Sequence, residues 1–212
     1  MKDRISEIIE LLKKEYPHAK YYLNFSNPLE LMVAAILSAQ VRDEVVNAMT
    51  PNLFKKYKNM VDYARATPED LANDIKAVTF AGNKAKNIIN TCKILVEKFD
   101  GKVPKTMEEL TSLPGIGRKT ANTILINAYD IVEGIPCDTH CIRLSQRLEL
   151  SKNKDPDKIE QDLMKIIPKS DWKKIPYLLK AHGRAVCKAP NPYCSKCLLN
   201  KLCPKTGVKK QL

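Results

Sequence analysis

Leu113-Pro114-Gly115-Ile116-Gly117-Arg118-Lys119-Thr120-Ala121 is the stretch around which this chain is organised. Thr106 with Glu109 reads as a capping box for a short helix that ends near Leu113, and a second helix starts near Arg118. Gly115 and Gly117 lie between the two and can take positive φ without a Cβ clash. They also let backbone N–H groups come close to a flat or charged partner. The unpaired N–H groups and the positive dipole end of the second helix point the same way as the loop, which suits a phosphate. An ordinary tight turn between helices has the same local pattern, so the rest of the chain must decide.

Outward from the hairpin, nearly every segment reads as helix. Ile5, Ile8, Ile9 and Leu12 share one helical face, closed by Pro17. Asn27-Pro28 with Glu30 supplies a cap, a first-turn proline and a capping-box acid for an apolar helix through Leu37. Thr67-Pro68-Glu69-Asp70 opens another. Ala85, Ile88, Ile89, Cys92, Leu95 and Val96 form a further apolar face, with Gly101 beyond its end. Asp155-Pro156 starts a helix, and Ser170-Asp171 a last long one running into Cys187. No stretch alternates with period two, so the predicted fold class is all-α. The hairpin reads as a helix-hairpin-helix motif, whose phosphate contacts should fix position on DNA and carry little sequence information.

The 212 residues allow one large domain or two small ones. The longest apolar run, Leu31 to Leu37, is too short to span a membrane. Net charge is +12 and unevenly spread. Residues 1–151 carry 21 Lys and Arg against 19 Asp and Glu, a net of +2, while residues 152–212 carry 15 against 5, a net of +10. That asymmetry suits a polyanion such as nucleic acid, and equally a lysine-rich solvated surface; charge alone does not choose. Aromatics make up only 6% of residues, which argues against a stacking surface for single strands.

Cys187, Cys194, Cys197 and Cys203 follow a C-x6-C-x2-C-x5-C spacing. Four thiolates this close can hold a tetrahedral zinc or a 4Fe-4S cluster. Zinc ribbons usually carry two C-x2-C pairs, and this chain has one. The uneven gaps favour a compact loop (187–203) around a cubane. Disulfide pairing is the bland alternative. No secretory signal precedes the chain, so a cytoplasmic setting with reduced thiols is expected.

Lys119 falls in the first turn of the second helix, where a cation opposes the helix dipole. Arg118 adds a like charge beside it. Both favour the neutral amine and hence a nucleophile, although a charged phosphate-binding lysine suits the hairpin as well. In Cys137-Asp138-Thr139-His140, Asp138 reads as the cap of the helical stretch Ile142 to Leu148. A capping carboxylate is also placed to stabilise a developing cation or to exchange a proton.

Taken together, Leu37-Ser38-Ala39-Gln40, the hairpin Leu113 to Ala121, Asp138-Thr139-His140, His182-Gly183-Arg184 and the four-cysteine spacing resemble the endonuclease III family of base-excision DNA glycosylases over nearly the whole chain. The resemblance implies two helical domains with the active site in the cleft between them. Residues 22–132 would form a helical bundle with the hairpin at 113–119. Residues 1–21 plus 133–212 would form the domain of the 4Fe-4S cluster. It further implies that Lys119 is the nucleophile and Asp138 the essential carboxylate. Gln40 would fill the gap left by an extruded nucleotide, and Phe80 would wedge into the opposite strand. A helix-end amide and a core aromatic are the plain alternatives for those two. Gly115, Gly117 and Arg118 would hold phosphate, joined by Lys188 and Lys196 on the cluster loop.

The function implied is a bifunctional glycosylase and AP lyase that removes oxidised or saturated pyrimidines. The partner is double-stranded DNA with a damaged base or abasic site, and the chain is expected to act as a monomer in the prokaryotic cytoplasm, associated with the nucleoid. A mismatch uracil or thymine glycosylase of the same superfamily is the rival enzyme. A non-catalytic cluster-containing DNA-binding module is the rival of another class. Cys137 stands where the family usually has an aliphatic residue, and Thr79 to Asn83 departs from its commonest pattern. Cys92, Cys137 and Cys141 lie outside the cluster spacing and read as structural thiols. His140 reads as a local hydrogen-bonding residue rather than a metal ligand.

Overall fold

The structure is a computed structural model that describes residues 2–212. Among the described residues there are eleven α-helices, two short 3-10 turns and no strand. The chain separates into two compact units, Met1–Tyr21 with Gly134–Leu212, and Tyr22–Glu133. No helix among the described residues is long and apolar enough to cross a membrane.

The Tyr22–Glu133 unit contains α2 (Pro28–Leu37), α3 (Asp43–Lys56), α4 (Met60–Arg65), α5 (Pro68–Asp74), α6 (Ala81–Lys98), α7 (Met107–Thr111) and α8 (Arg118–Tyr129). Side-chain oxygens cap these helices where the sequence places them. Asn27 accepts from the Glu30 N–H, Thr67 from Asp70 and Thr106 from Glu109. The Glu30 carboxylate takes the Ser26 N–H at 2.6 Å, one residue before the cap, so it closes the turn differently from an ordinary capping box. Leu31 to Leu37 are all buried, which makes α2 the central helix of this unit. It packs on α8 and α6, and α4 and α5 pack on α6. Val96 is the exception on α6: it is 39% exposed and stands off the buried face.

The other unit joins α1 (Lys2–Glu15) to α9 (Thr139–Arg147), α10 (Pro156–Ile166) and α11 (Ile175–Ala185). Ile5, Ile8, Ile9 and Leu12 of α1 enter one core with Leu144, Leu148, Ile159, Leu163, Leu178 and Leu179. At roughly 1.5–3 kcal/mol per buried aliphatic side chain, that face is what ties the N-terminal helix to the distant C-terminal segment. The last helix differs from expectation. Ser170-Asp171 lies in a 3-10 turn (Lys169–Asp171), and α11 begins at Ile175 and ends at Ala185, before Cys187. Pro176 explains the later start, because proline suits the first turn of a helix and cannot sit in its interior.

Candidate functional site

The hairpin lies between α7 and α8. Gly115 has φ +79, and a Cβ there would stand 3.0 Å from Asn87 Cβ and Nδ2, so this position needs glycine on two counts. Gly117 is different. It caps α8 in extended backbone (φ −88, ψ 174), with open space where a Cβ would go. Both glycines are exposed, and only the first takes positive φ. No side chain caps α8, and no acid stands in its first turn. Lys119 is the second residue of α8, and both Arg118 and Lys119 are half-buried. Behind the loop, the fully buried Thr91 of α6 donates its hydroxyl to the Pro114 carbonyl at 2.9 Å. The hairpin is therefore braced by α6 through Thr91 and Asn87.

Gln40 and Phe80 lie on neighbouring tips of the same unit. Both are exposed, Phe80 at 63%, so Phe80 is not a core residue. Both take left-handed backbone, φ 56 and φ 57, a conformation that costs a non-glycine residue on the order of 1–3 kcal/mol and persists only when its surroundings impose it. Thr79 Oγ1 donates to the Gln40 carbonyl at 3.3 Å. Lys84, which sequence reasoning missed, is buried beneath them. Its Nζ donates to the Leu37 carbonyl at 2.8 Å and the Ala39 carbonyl at 2.7 Å, and burial lowers its pKa from the ordinary value.

Asp138 is the cap of α9. Its Oδ1 accepts the N–H groups of His140 and Cys141, each at 2.9 Å. The Cys141 thiol donates to Cys137 Sγ at 3.4 Å, and both cysteines are buried. That contact and full burial push the Cys141 thiol well up from its ordinary value. Cys92 is likewise buried, and burial raises it to about 12. His140 Nδ1 lies 3.1 Å from Arg143 Nη2, a local polar contact. Gly183 leaves room for that ring, since a Cβ there would stand 2.6 Å from His140 Nδ1.

The four spaced cysteines line one cavity, with Leu144, Leu148 and Val186 among its apolar walls. Among the described residues no group of three or more His, Cys, Asp or Glu side chains is set to hold a metal ion. Donors nevertheless converge on the sulfurs. Arg147 Nη1 donates to Cys187 Sγ at 3.3 Å, and backbone N–H groups of Leu199 and Lys205 reach Cys197 and Cys203. His182 is 2% exposed. Its Nε2 lies 3.4 Å from Cys197 Sγ and its Nδ1 3.0 Å from the Tyr16 hydroxyl. Burial lowers His182 to about 4, and it raises Cys197 to about 11 against the Leu199 N–H. Arg147 also donates to the Lys188 and Ala189 carbonyls, both at 2.7 Å, and Arg143 to the Gly183 and Cys187 carbonyls, both at 3.0 Å. Two arginines of α9 thus hold the start of the cysteine loop. Lys188 and Lys196 are exposed on that loop, with Lys188 Nζ 5.0 Å from the Tyr193 ring centroid.

Residues 33–169 match the HhH-GPD superfamily of base excision DNA repair proteins. The chain is 49% identical to endonuclease III of Synechocystis sp., over 96% of this chain and 93% of that protein. It is 44% identical to endonuclease III of Bacillus subtilis, over 89% and 86% respectively. Its fold superposes on the structure of a trapped endonuclease III–DNA covalent intermediate with a TM-score of 0.93 and 39% identity, covering 97% of this chain and 96% of that one. The all-α architecture, the hairpin ahead of α8 and these likenesses along nearly the whole chain have one meaning: it belongs to the HhH-GPD superfamily and, within it, to the endonuclease III family.

Proposed function

We propose that this chain is a bifunctional DNA glycosylase and AP lyase acting on damaged duplex DNA in the prokaryotic cytoplasm, with the two compact units as its two domains. The observation that carries the reading is Lys119 in the first turn of α8, directly behind the exposed glycine hairpin. A solved relative of the same fold is a covalent endonuclease III–DNA intermediate, and a lysine is the residue type whose amine makes such a bond with a sugar carbon.

The steps follow from that amine. The damaged nucleotide leaves the stack at a cost of a few kcal/mol, less for a damaged base. Gln40 and Phe80 fill the space it vacates. Neutral Lys119 attacks C1′ as the glycosidic bond breaks, and the bonding electrons leave with the base. Asp138 offsets the positive charge that develops on the sugar. The amine then forms an imine with the ring-opened sugar, which acidifies C2′. Loss of a C2′ proton expels the 3′ phosphate and cuts the strand. The hairpin N–H groups, with Arg118, Lys188 and Lys196, hold phosphates and set position.

Cys187, Cys194, Cys197 and Cys203 would hold a 4Fe-4S cluster. The donor set supports this. The four thiols line one cavity, and four cysteine thiolates are the ligand set of a cubane. N–H donors already directed at the sulfurs favour the thiolate form. When bound, the cluster supplies a rigid anchor for the basic loop, and no chemical step of the excision needs it.

The preferred substrate is an oxidised or saturated pyrimidine, whose non-planar ring stacks poorly and flips at lower cost. Single-turnover excision of thymine glycol, uracil opposite guanine, thymine opposite guanine and 8-oxoguanine in one duplex tests this. The expected result is that thymine glycol is removed fastest, with strand cleavage. Faster removal of a mismatched pyrimidine would move the protein to the mismatch class.

A further inference from the structure

Gln40 and Phe80 are forty residues apart in sequence, yet filling one gap in a duplex requires both tips to arrive at a fixed separation. Lys84 links the two segments that carry them. Its side-chain ammonium holds the Leu37 and Ala39 carbonyls that lead into Gln40. It stands in the first turn of α6, whose cap is Phe80 and whose ordinary helical bond joins the Lys84 N–H to the Phe80 carbonyl at 3.0 Å. Thr79, next to Phe80, adds its hydroxyl bond to the Gln40 carbonyl. These bonds surround two exposed residues held in left-handed backbone. A lysine suits the position chemically. Its ammonium has three donors and no acceptor, is compact, and sits at the C-terminal end of α2, where carbonyls lack helical partners and the dipole favours a cation.

We propose that Lys84, assisted by Thr79, is a positioning residue for nucleotide extrusion. It locks the Gln40 and Phe80 tips together, so that the cost of ordering them is met before DNA binds rather than during strand opening. The role rests on the gap-filling assignment of Gln40 and Phe80. It concerns opening of the duplex rather than attack by Lys119, so its loss should slow excision of a paired base more than cleavage at a site that has already lost its base.

The test uses a duplex with one thymine glycol flanked by 2-aminopurine, whose fluorescence rises on unstacking, and a matched duplex with an abasic site. Lys84→Met should slow both the fluorescence rise and excision by about tenfold, the scale of a lost charge-assisted hydrogen bond. Abasic-site cleavage should change far less, and Lys84→Arg should recover part of the loss. Thr79→Ala, an exposed substitution that leaves the fold intact, should slow the same step to a smaller degree, and it carries the test if Lys84→Met does not fold. Unchanged opening in Lys84→Met and Thr79→Ala, or equal losses on both duplexes, would overturn the proposal. Gln40→Ala and Phe80→Ala separate the two levels. If they slow opening and the Lys84 and Thr79 variants do not, only the positioning role fails. If they leave opening unchanged, the gap-filling assignment fails and the positioning role with it.

Discussion

Asp138 Oδ1 accepts the backbone N–H of Cys141 at 2.9 Å, and the same oxygen also takes the His140 N–H. One oxygen of the carboxylate therefore does the capping of α9, and its charge is what the proposed reaction uses. The cap and the catalytic role are separable by substitution, because asparagine caps a helix nearly as well as aspartate.

Asp138→Asn should therefore fold with nearly wild-type stability and bind damaged duplex, while single-turnover excision falls about a hundredfold, the scale of losing one electrostatic stabiliser. Asp138→Ala should lose excision and also about 0.5–2 kcal/mol of stability, read in urea unfolding, because the cap goes too. Wild-type excision by Asp138→Asn would remove the carboxylate from the mechanism.

The two hairpin glycines should respond differently. Gly115→Ala must adopt φ +79 and meet Asn87, so it should destabilise the fold by about 1–3 kcal/mol. Gly117→Ala should leave stability within about 0.5 kcal/mol, since its backbone is extended and its surroundings are open. Gly117→Val should weaken DNA binding by filling the space a phosphate approaches. Undiminished affinity in that variant would contradict the hairpin contact.

Protein prepared with iron available should be yellow-brown, with about four irons per chain, the content of a four-cysteine cubane. Arg147→Met should lose iron readily and unfold at lower denaturant, because it orphans the Lys188 and Ala189 carbonyls and removes a donor from Cys187. Stoichiometric zinc in protein made with iron present would contradict the cluster assignment.

Affinity for duplex DNA should fall with salt by roughly 0.9 log units per phosphate contact per decade. Lys188→Ala and Lys196→Ala should each flatten that slope by about one contact and weaken undamaged and damaged duplex alike. Fluorescence anisotropy across salt concentrations measures both effects.

Much of the helical fold was legible because caps are local signals. Asn27, Thr67, Thr106, Asp138 and Asp155 each announce a helix start within three residues of the group they bond. α3 was not legible, since Pro51 stands inside it, and α4 is only six residues long. The cysteine spacing is likewise local. Lys84 gave no such signal, because its partners Leu37 and Ala39 lie 47 and 45 residues away. A lysine in the first turn of an amphipathic helix reads as solvent-exposed until the fold brings carbonyls to it. His182 differs in that the sequence marked it, but only the packing of α1 and α11 shows it between Tyr16 and Cys197.

The central claim is a covalent bond from Lys119 to the sugar, and borohydride trapping on duplex containing thymine glycol or an abasic site tests it most directly. Reduction should fix the imine as a stable protein–DNA adduct, and peptide mapping should place the added mass on Lys119. Lys119→Gln should still bind the duplex and give no adduct. An adduct of wild-type yield in Lys119→Gln, or one mapped to another amine, would contradict the account.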